Sequence, residues 1–573
     1  MGRLAVGLSP LPLQSSSVRR STMPLVLLAV LTFFAGLGRG AIADSDEAFY
    51  AESAREMVES GDWLTPHFNY EQRLQKPVLY YWLTAILYLG TGATEISARF
   101  WAALSGVGLV LLTAACGRRW FDEDTGLLAG AIAATSFGYF ALARMALPDL
   151  PLAFLVTLTI STTFAATLER TREPRWVLLV AAAAAALGFL TKGPLALVLP
   201  ALVIVPVLLI ERRSFDLDLV DLLLAAMLFT AIAAPWYLAM WAEHGLEYLR
   251  GFFIGDNFER FATTRFNDPR PWWFYLPVIA GGLLPWAPLV IVWFGPTLQF
   301  LTRRRDVTTI ELRLILWAVL PLIFFTISVG KQPRYVLPLL PPLAILLASS
   351  IIERAREWRS LDGVRRRPRP NLAVVTGCVL AGLSLCVLGV GLHRLVPLFR
   401  NISRPLSVSV AITIVLAGLA VVVVSLTRFW RGAPGVLACA AALSFALLPY
   451  GALSAPADSP VFEMARLVRQ VRRGDEAIGT YRVFVRNLVF YTGVRHTDLI
   501  HDEHIKDWLS KNPQALIVMP SAEADHLERD VGLRLQRLAQ YTYFDDGSFR
   551  VRMLLEPDPV GDLQRVVLVR IGN

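Results

Sequence analysis

A polytopic α-helical membrane protein with a small α/β domain at its C-terminus is the fold class this sequence predicts, on three observations. The 573 residues are 55% hydrophobic and only 18% charged, with a mean hydropathy of +0.51. That is too apolar for one soluble core of this length. Apolar runs recur from about residue 23 to 453, and roughly thirteen of them are able to span a bilayer. From Ser454 the character changes: short β-type segments at Ala477 to Tyr481, Leu516 to Met519 and Phe549 to Leu555 alternate with polar, helix-like stretches.

The N-terminal residues 1–22 read as a cytoplasmic lead-in. Arg19-Arg20, an apolar run and Ala41-Ile42-Ala43 resemble a signal peptide with its cleavage site. The further spans, and a run to Ala43 near the length of a crossing, favour an uncleaved first span.

The spanning region, 23–453, sorts its charges. Arg118-Arg119, Arg170 to Arg175, Arg212-Arg213, Arg303-Arg304-Arg305, Arg354 to Arg369 and Arg428 to Arg431 fall on one side, which should be cytoplasmic. The opposite side carries Asp44 to Lys76, Ala146 to Asp149, Lys192, Glu243 to Pro271 and Lys331 to Tyr335. The net charge of +9 follows from this asymmetry. Without a basic stripe interleaved with aromatics, it predicts no nucleic-acid partner. Cys116, Cys378, Cys386 and Cys439 lie in or beside apolar runs without metal-ligand spacing, as small packing residues do.

Every polar motif with chemical potential lands on the outer face. Nucleotide-dependent chemistry is disfavoured there, and the chain has no phosphate-binding glycine motif. Asp44-Ser45-Asp46-Glu47 places three carboxylates at a membrane boundary, where uncompensated charge is costly. Glu47 to Ser60 alternates as a helix lying at the interface, with charges opposite its apolar face, within a first outer loop of residues 44–77. Lys76 precedes a proline at the mouth of an apolar run, placed either to hold a lipid phosphate or to snorkel. Asp149 is flanked by prolines and apolar residues, Lys192 sits in a tight Thr-Lys-Gly-Pro junction, and Lys331 to Pro338 gathers polar groups at a span boundary. Asn257, Glu259, Arg260, Arg265, Asp268 and Arg270 precede an aromatic run from Trp272. Carboxylates and cations on one face suit a reaction in which an anionic phosphate leaves and a hydroxyl attacks. The C-terminal region, 454–573, should lie outside the cytoplasm. Its His501-Asp502-Glu503-His504 offers two histidines three residues apart, too few to define a metal site.

Asp46-Glu47-Ala48-Phe49-Tyr50-Ala51-Glu52, Gln75-Lys76-Pro77 with Tyr81-Trp82, Pro148-Asp149-Leu150-Pro151, Lys192-Gly193-Pro194 and Pro333-Arg334-Tyr335-Val336-Leu337-Pro338 resemble, in order, the signatures of the GT-C glycosyltransferases of the ArnT and protein O-mannosyltransferase group. The resemblance covers about residues 25 to 350. It implies a GT-C fold in a bacterial plasma membrane. It also implies a polyprenyl-phosphate sugar donor and inverting transfer to an envelope glycolipid or protein on the outer face. Asp46 is similar to the family's catalytic aspartate and Asp149 to its second. Lys76, Arg334 and Tyr335 match positions suited to gripping the lipid phosphate. Glu47, Tyr50, Tyr81, Lys192, Arg265 and Arg270 complete the expected substrate-binding set.

Two positions depart from the pattern. Phe49 stands where the family often has arginine, and Gln75 where it often has glutamate. That glutamate resembles a metal ligand, paired with a histidine from a later loop. This chain offers Asp268 near the second place and no histidine, so no cofactor is expected and a divalent metal is left open. A flippase, or a non-catalytic lipid-sugar binder, also fits a polytopic chain. A flippase would need charges near the midplane and repeated broken helices, whereas these charges stand at span ends.

Overall fold

The computed structural model describes residues 15–168, 173–211, 218–264, 269–293, 306–361, 370–399, 401–499, 502–530, 534–544, 550 and 552–571. Helix α1 (Ser15–Phe34) ends before Gly36 and Gly40, both at positive φ. The first span is therefore shorter than the run to Ala43 suggests, and residues 35–45 form an irregular strap. Helix α2 (Asp46–Ser60) follows. Ser45 caps it by accepting the Glu47 N–H, acidic residues occupy its first turn, and Gly61 at φ 72° ends it. A short hairpin of β1 (His67–Phe68) and β2 (Glu71–Gln72) turns through Asn69 and Tyr70, both left-handed.

The main bundle continues through α3 (Leu79–Thr91), α4 (Glu95–Trp120), α5 (Glu123–Ala134), α6 (Phe137–Ala143), α7 (Asp149–Thr167), α8 (Pro174–Lys192), α9 (Leu195–Glu211) and α10 (Leu219–Arg250). A π-helix, Gly251–Glu259, extends α10. The helices Thr309–Ile327, Leu340–Leu361, Leu372–Leu395, Arg404–Leu426 and Ala433–Ala452 complete it. Among the described residues nine helices are long and apolar enough to cross a membrane, or eleven if each of two bent pairs is one span. Thr22–Phe34 and α9 are shorter apolar helices; counted with the rest, they reach the thirteen the sequence suggests. The bent pairs are α5 with α6, at 53°, and Tyr275–Gly282 with Ala287–Trp293, at 105°. In lipid, helices associate through close packing rather than hydrophobic expulsion. Helices Leu372–Leu395 and Arg404–Leu426 meet through glycines: a Cβ on Gly382 would lie 2.7 Å from the Gly418 carbonyl oxygen.

The C-terminal region carries a five-stranded sheet in the order β4-β3-β5-β7-β6. Strands β3 (Ile478–Thr480), β4 (His496–Asp498) and β5 (Leu516–Pro520) are parallel; β6 (Leu535–Tyr543) and β7 (Gln564–Ile571) add antiparallel. Of the segment Phe549 to Leu555, Phe549 and Val551 lie outside the described residues, and the described part from Arg552 is not a strand. Arg552–Leu555 is a helical turn, because Met553 is drawn against Leu398 and Leu563. His501 of the His-Asp-Glu-His stretch lies outside the described residues.

Helix α2 also departs from expectation. Its charged face is not left to solvent: Glu47, Glu52, Ser53 and Glu56 are all buried. The C-terminal region and the β1–β2 hairpin pack over it, so α2 is a core helix at the boundary rather than an interfacial one.

Candidate active site

Asp149 opens α7 and Lys192 closes α8. The two helices pack side by side and bring together a helix N-terminus and a helix C-terminus, each carrying the charge its dipole favours. Lys192 Nζ donates to Asp149 Oδ1 at 2.5 Å and lies 5.4 Å from the Tyr335 ring centre. Gly193 makes the turn at φ 76°, and the Phe252 ring stands 2.5 Å from where its Cβ would be. Only glycine fits both constraints.

Arg334, at the start of the 3-10 turn Pro333–Leu339, joins the two aspartates. It is ion-paired with Asp46 Oδ2, and its Nε lies 3.6 Å from Asp149 Oδ1. Around this triad a cavity of about 260 Å³ is lined by Phe49, Tyr50, Arg73, Gln75, Lys76, Lys192, Asp256, Asn257, Arg260 and Tyr335 together with the triad itself. Five basic groups (Arg73, Lys76, Lys192, Arg260, Arg334) face three carboxylates (Asp46, Asp149, Asp256). When all are ionised the cavity holds two excess positive charges, a match for a phosphate.

The cations are not equivalent. Arg334 and Lys192 are engaged with the aspartates, and Arg260 lies 3.6 Å from Asp256. Arg73 donates to the Tyr81 hydroxyl at 3.3 Å and lies over the Phe49 ring at 3.8 Å. Lys76 has no hydrogen-bond or ion-pair partner among the described residues. Burial pushes its ammonium down to about 7, and the field of Arg260 adds to the effect. Burial alone would raise the Asp46 carboxyl, but Arg334, with Arg73 and Arg260 behind it, holds it below the ordinary carboxylate value.

Asp46, Asp149, Lys76, Lys192, Arg334, Tyr335, Tyr50 and Gln75 thus share one cavity. Tyr81 stands behind its wall, stacked on Tyr50 at 5.2 Å. Glu47 is not in the cavity. It is 1% exposed and fully engaged: it accepts from Arg99 at 2.8 and 3.2 Å, from Ala43 N–H at 2.8 Å and from Ala146 N–H at 2.9 Å. It ties α2 to the turn that carries Asp149. Arg270 is exposed and lies 5.9 Å from the Phe274 ring, outside the cavity. Arg265 and Asp268 lie outside the described residues. Arg73 and Asp256 line the cavity without having been singled out by sequence. Arg73 offers one usable signal: it brings a guanidinium to Phe49, where the family often places an arginine.

Among the described residues no group of three His, Cys, Asp or Glu side chains is arranged to hold a metal. Gln75 contributes a neutral amide, and the nearby carboxylates already face cations. The described residues do not fit a metal-binding set.

Residues 26–244 match the family model of dolichyl-phosphate-mannose-protein mannosyltransferase. The undecaprenyl phosphate-alpha-4-amino-4-deoxy-L-arabinose arabinosyl transferase 2 of Pseudomonas fluorescens is 35% identical over 59% of this chain and 58% of its own length. The corresponding arabinosyl transferase of Pectobacterium atrosepticum is 31% identical over 77% of this chain and 78% of its own. The chain belongs to the ArnT/PMT-like family of GT-C glycosyltransferases. The likeness in fold extends over nearly the whole chain. The crystal structure of ArnT from Cupriavidus metallidurans bound to undecaprenyl phosphate covers 96% of this chain and 97% of its own, with a TM-score of 0.69 at 22% identity. The archaeal oligosaccharyltransferase AglB from Archaeoglobus fulgidus shares the architecture more distantly, over 90% of this chain and 70% of its own, with a TM-score of 0.54 at 12% identity.

Proposed function

We propose that this chain moves a sugar from a polyprenyl-phosphate donor to an envelope acceptor on the extracytoplasmic face of a bacterial plasma membrane, with inversion at the anomeric carbon. The observation that carries this reading is the cavity itself. It holds excess positive charge at a span boundary, with a lysine that has no partner among the described residues beside an aspartate–arginine–aspartate triad. The printed names and titles of the relatives, undecaprenyl phosphate arabinosyl transferases and an ArnT bound to undecaprenyl phosphate, support the donor class.

In the reaction the bond between the anomeric carbon and the phosphate oxygen breaks as an acceptor oxygen attacks from the opposite face. Lys76 and Arg334 offset the charge left on the phosphate, and Tyr335 adds a polar contact. Preorganised groups of this kind contribute several kcal/mol where water is excluded. Asp46, held ionised by Arg334, orients the acceptor by accepting a hydrogen bond from one of its hydroxyls away from the attacking oxygen. A carboxylate with a lowered pKa is a poor base toward a neutral hydroxyl. An acceptor already ionised, such as a phosphate on a lipid A-like glycolipid, needs no base, and this favours a glycolipid over a protein hydroxyl. Asp149 keeps Lys192 and Arg334 in place.

The test is transfer by the purified protein, offered labelled polyprenyl-phosphate sugars with lipid and protein acceptors. Labelled glycolipid is the expected product. Label in protein would overturn the acceptor, and no consumption of any donor by folded protein would overturn the transferase reading.

A further inference from the structure

The strap between α1 and α2 carries the chain into Asp46, and its backbone is held from two sides. From α4, Arg99 donates to the carbonyls of Leu37 (3.1 Å), Arg39 (3.0 Å), Gly40 (3.0 Å) and Ala41 (2.9 Å). From the C-terminal region, Asn487 Nδ2 donates to the Ile42 carbonyl at 2.9 Å, and the Tyr491 hydroxyl accepts the Ile42 N–H at 2.8 Å. The Tyr491 hydroxyl in turn donates to Glu95 Oε1 at 2.7 Å, and the Arg486 N–H donates to Asp44 Oδ1 at 2.7 Å. Ile42 is fully buried, Asn487 is 5% exposed and Tyr491 is 7% exposed. Both backbone polar groups of one residue are thus satisfied by side chains more than four hundred positions away in sequence, one from the N-cap of the helix Leu488–Thr492 and one from within it. A buried peptide group without such partners would cost about 1–3 kcal/mol, so these bonds fix the strap to one path.

We infer that Asn487 and Tyr491 are positioning residues for the reaction: through Ile42 they set where Asp46 stands against Arg334, and the C-terminal region is thereby part of the catalytic apparatus. The inference rests on the transferase reading above. Neither residue lines the cavity. Donor phosphate is gripped from the loop before α3 and from the Pro333–Leu339 turn, which the strap does not carry. Loosening the strap therefore displaces Asp46 while leaving the donor grip in place. A misplacement of about 1 Å costs on the order of a hundredfold in rate.

The test is Asn487→Asp beside wild type, with kcat and donor KM measured from pH 5 to 8.5. Aspartate keeps the volume but, when ionised, sets a carboxylate against the Ile42 carbonyl. When protonated it again offers a donor to that carbonyl. Expected is a kcat lowered about a hundredfold at pH 8 with donor KM within about twofold, and recovery toward wild type as the pH falls. A role in stability alone would not give a reversible kcat defect inside one folded protein. Tyr491→Phe, which removes the acceptor for the Ile42 N–H, should lower kcat in the same selective way. It decides the matter should Asn487→Asp not fold. Wild-type kcat in a folded variant, or a KM that rises as kcat falls, overturns the positioning role. Failure of the wild type to consume any donor would instead overturn the transferase reading on which it rests.

Discussion

Asp46 and Glu56 sit on the same helix and meet opposite fates. Both are drawn toward the neutral form by burial. At the start of α2, Arg334 faces Asp46, and the carboxyl is held below its ordinary range. Toward the other end, Glu56 faces Glu52, whose charge and hydrogen bond add to burial and push it up to about 8. The one cation close by, Arg55, is already bound to Glu52 at 2.7 Å and Glu59 at 2.8 Å. A helix does not confer a charge state on its side chains; the partner the fold brings does. One end of α2 holds its carboxylate charged against a cation, and the other sets two acids side by side where burial favours the neutral form.

The comparison breaks most sharply at its charged end. Asp46→Asn should lower transfer by about a hundredfold with an unchanged thermal midpoint, measured as donor turnover by protein that still elutes as a folded species. Near-wild-type turnover would remove Asp46 from the reaction. One residue along, Glu47→Gln probes structure rather than chemistry. It leaves buried Arg99 facing an uncharged partner and should cost about 3–5 kcal/mol of stability, visible in thermal melting, while donor KM in the folded fraction is unchanged.

Lys76 sharpens the electrostatic side. Its free ammonium titrates at about 7, and a bound phosphate favours the protonated form. Donor binding must take up a proton above that pH. Wild-type donor KM should therefore rise as pH increases from 7, by up to about tenfold per unit. In Lys76→Arg the group stays charged, and the KM profile should be flat from pH 6 to 9. Parallel slopes in the two proteins would refute this. The smallest effect belongs to Glu56. Burial and Glu52 push its carboxyl from the ordinary 4.5 up to about 8, so the folded state keeps a proton the unfolded state releases. The resulting stability is complete below about pH 4.5 and is lost as pH rises through 8. Glu56→Gln mimics the protonated form. It should melt a few degrees above wild type at pH 9, with the gain vanishing by pH 5.

Much of this site is legible in sequence because charges flanked by proline and apolar residues at span ends are costly and so carry meaning. Asp46, Lys76, Asp149 and Lys192 stand out on that ground, Arg334 and Tyr335 through the family resemblance, and all six line one cavity. Arg73 does not stand out. It follows Glu71-Gln72 in a polar stretch that reads as solvated loop, and it reaches the cavity only because the β1–β2 hairpin folds back. Asp256 sits after an apolar run, and its direction is set by a π-helix that no local pattern announces. Glu47 looks like its neighbour Asp46, and only Arg99, far along the chain, decides that it faces inward. The same limit governs the fold. The spans are written in local hydropathy, whereas β6 and β7 depend on pairing with each other and with β5.

The bonds at Ile42 have a consequence for biosynthesis. Their partners emerge 445 and 449 residues later, which at 5–20 residues per second is roughly 20–90 s of translation. Throughout that interval the strap that leads into Asp46 lacks part of its framework. The arrangement is complete only once Asn487 and Tyr491 have emerged, so a ribosome that stalls before them leaves a chain whose strap lacks both of its Ile42 bonds.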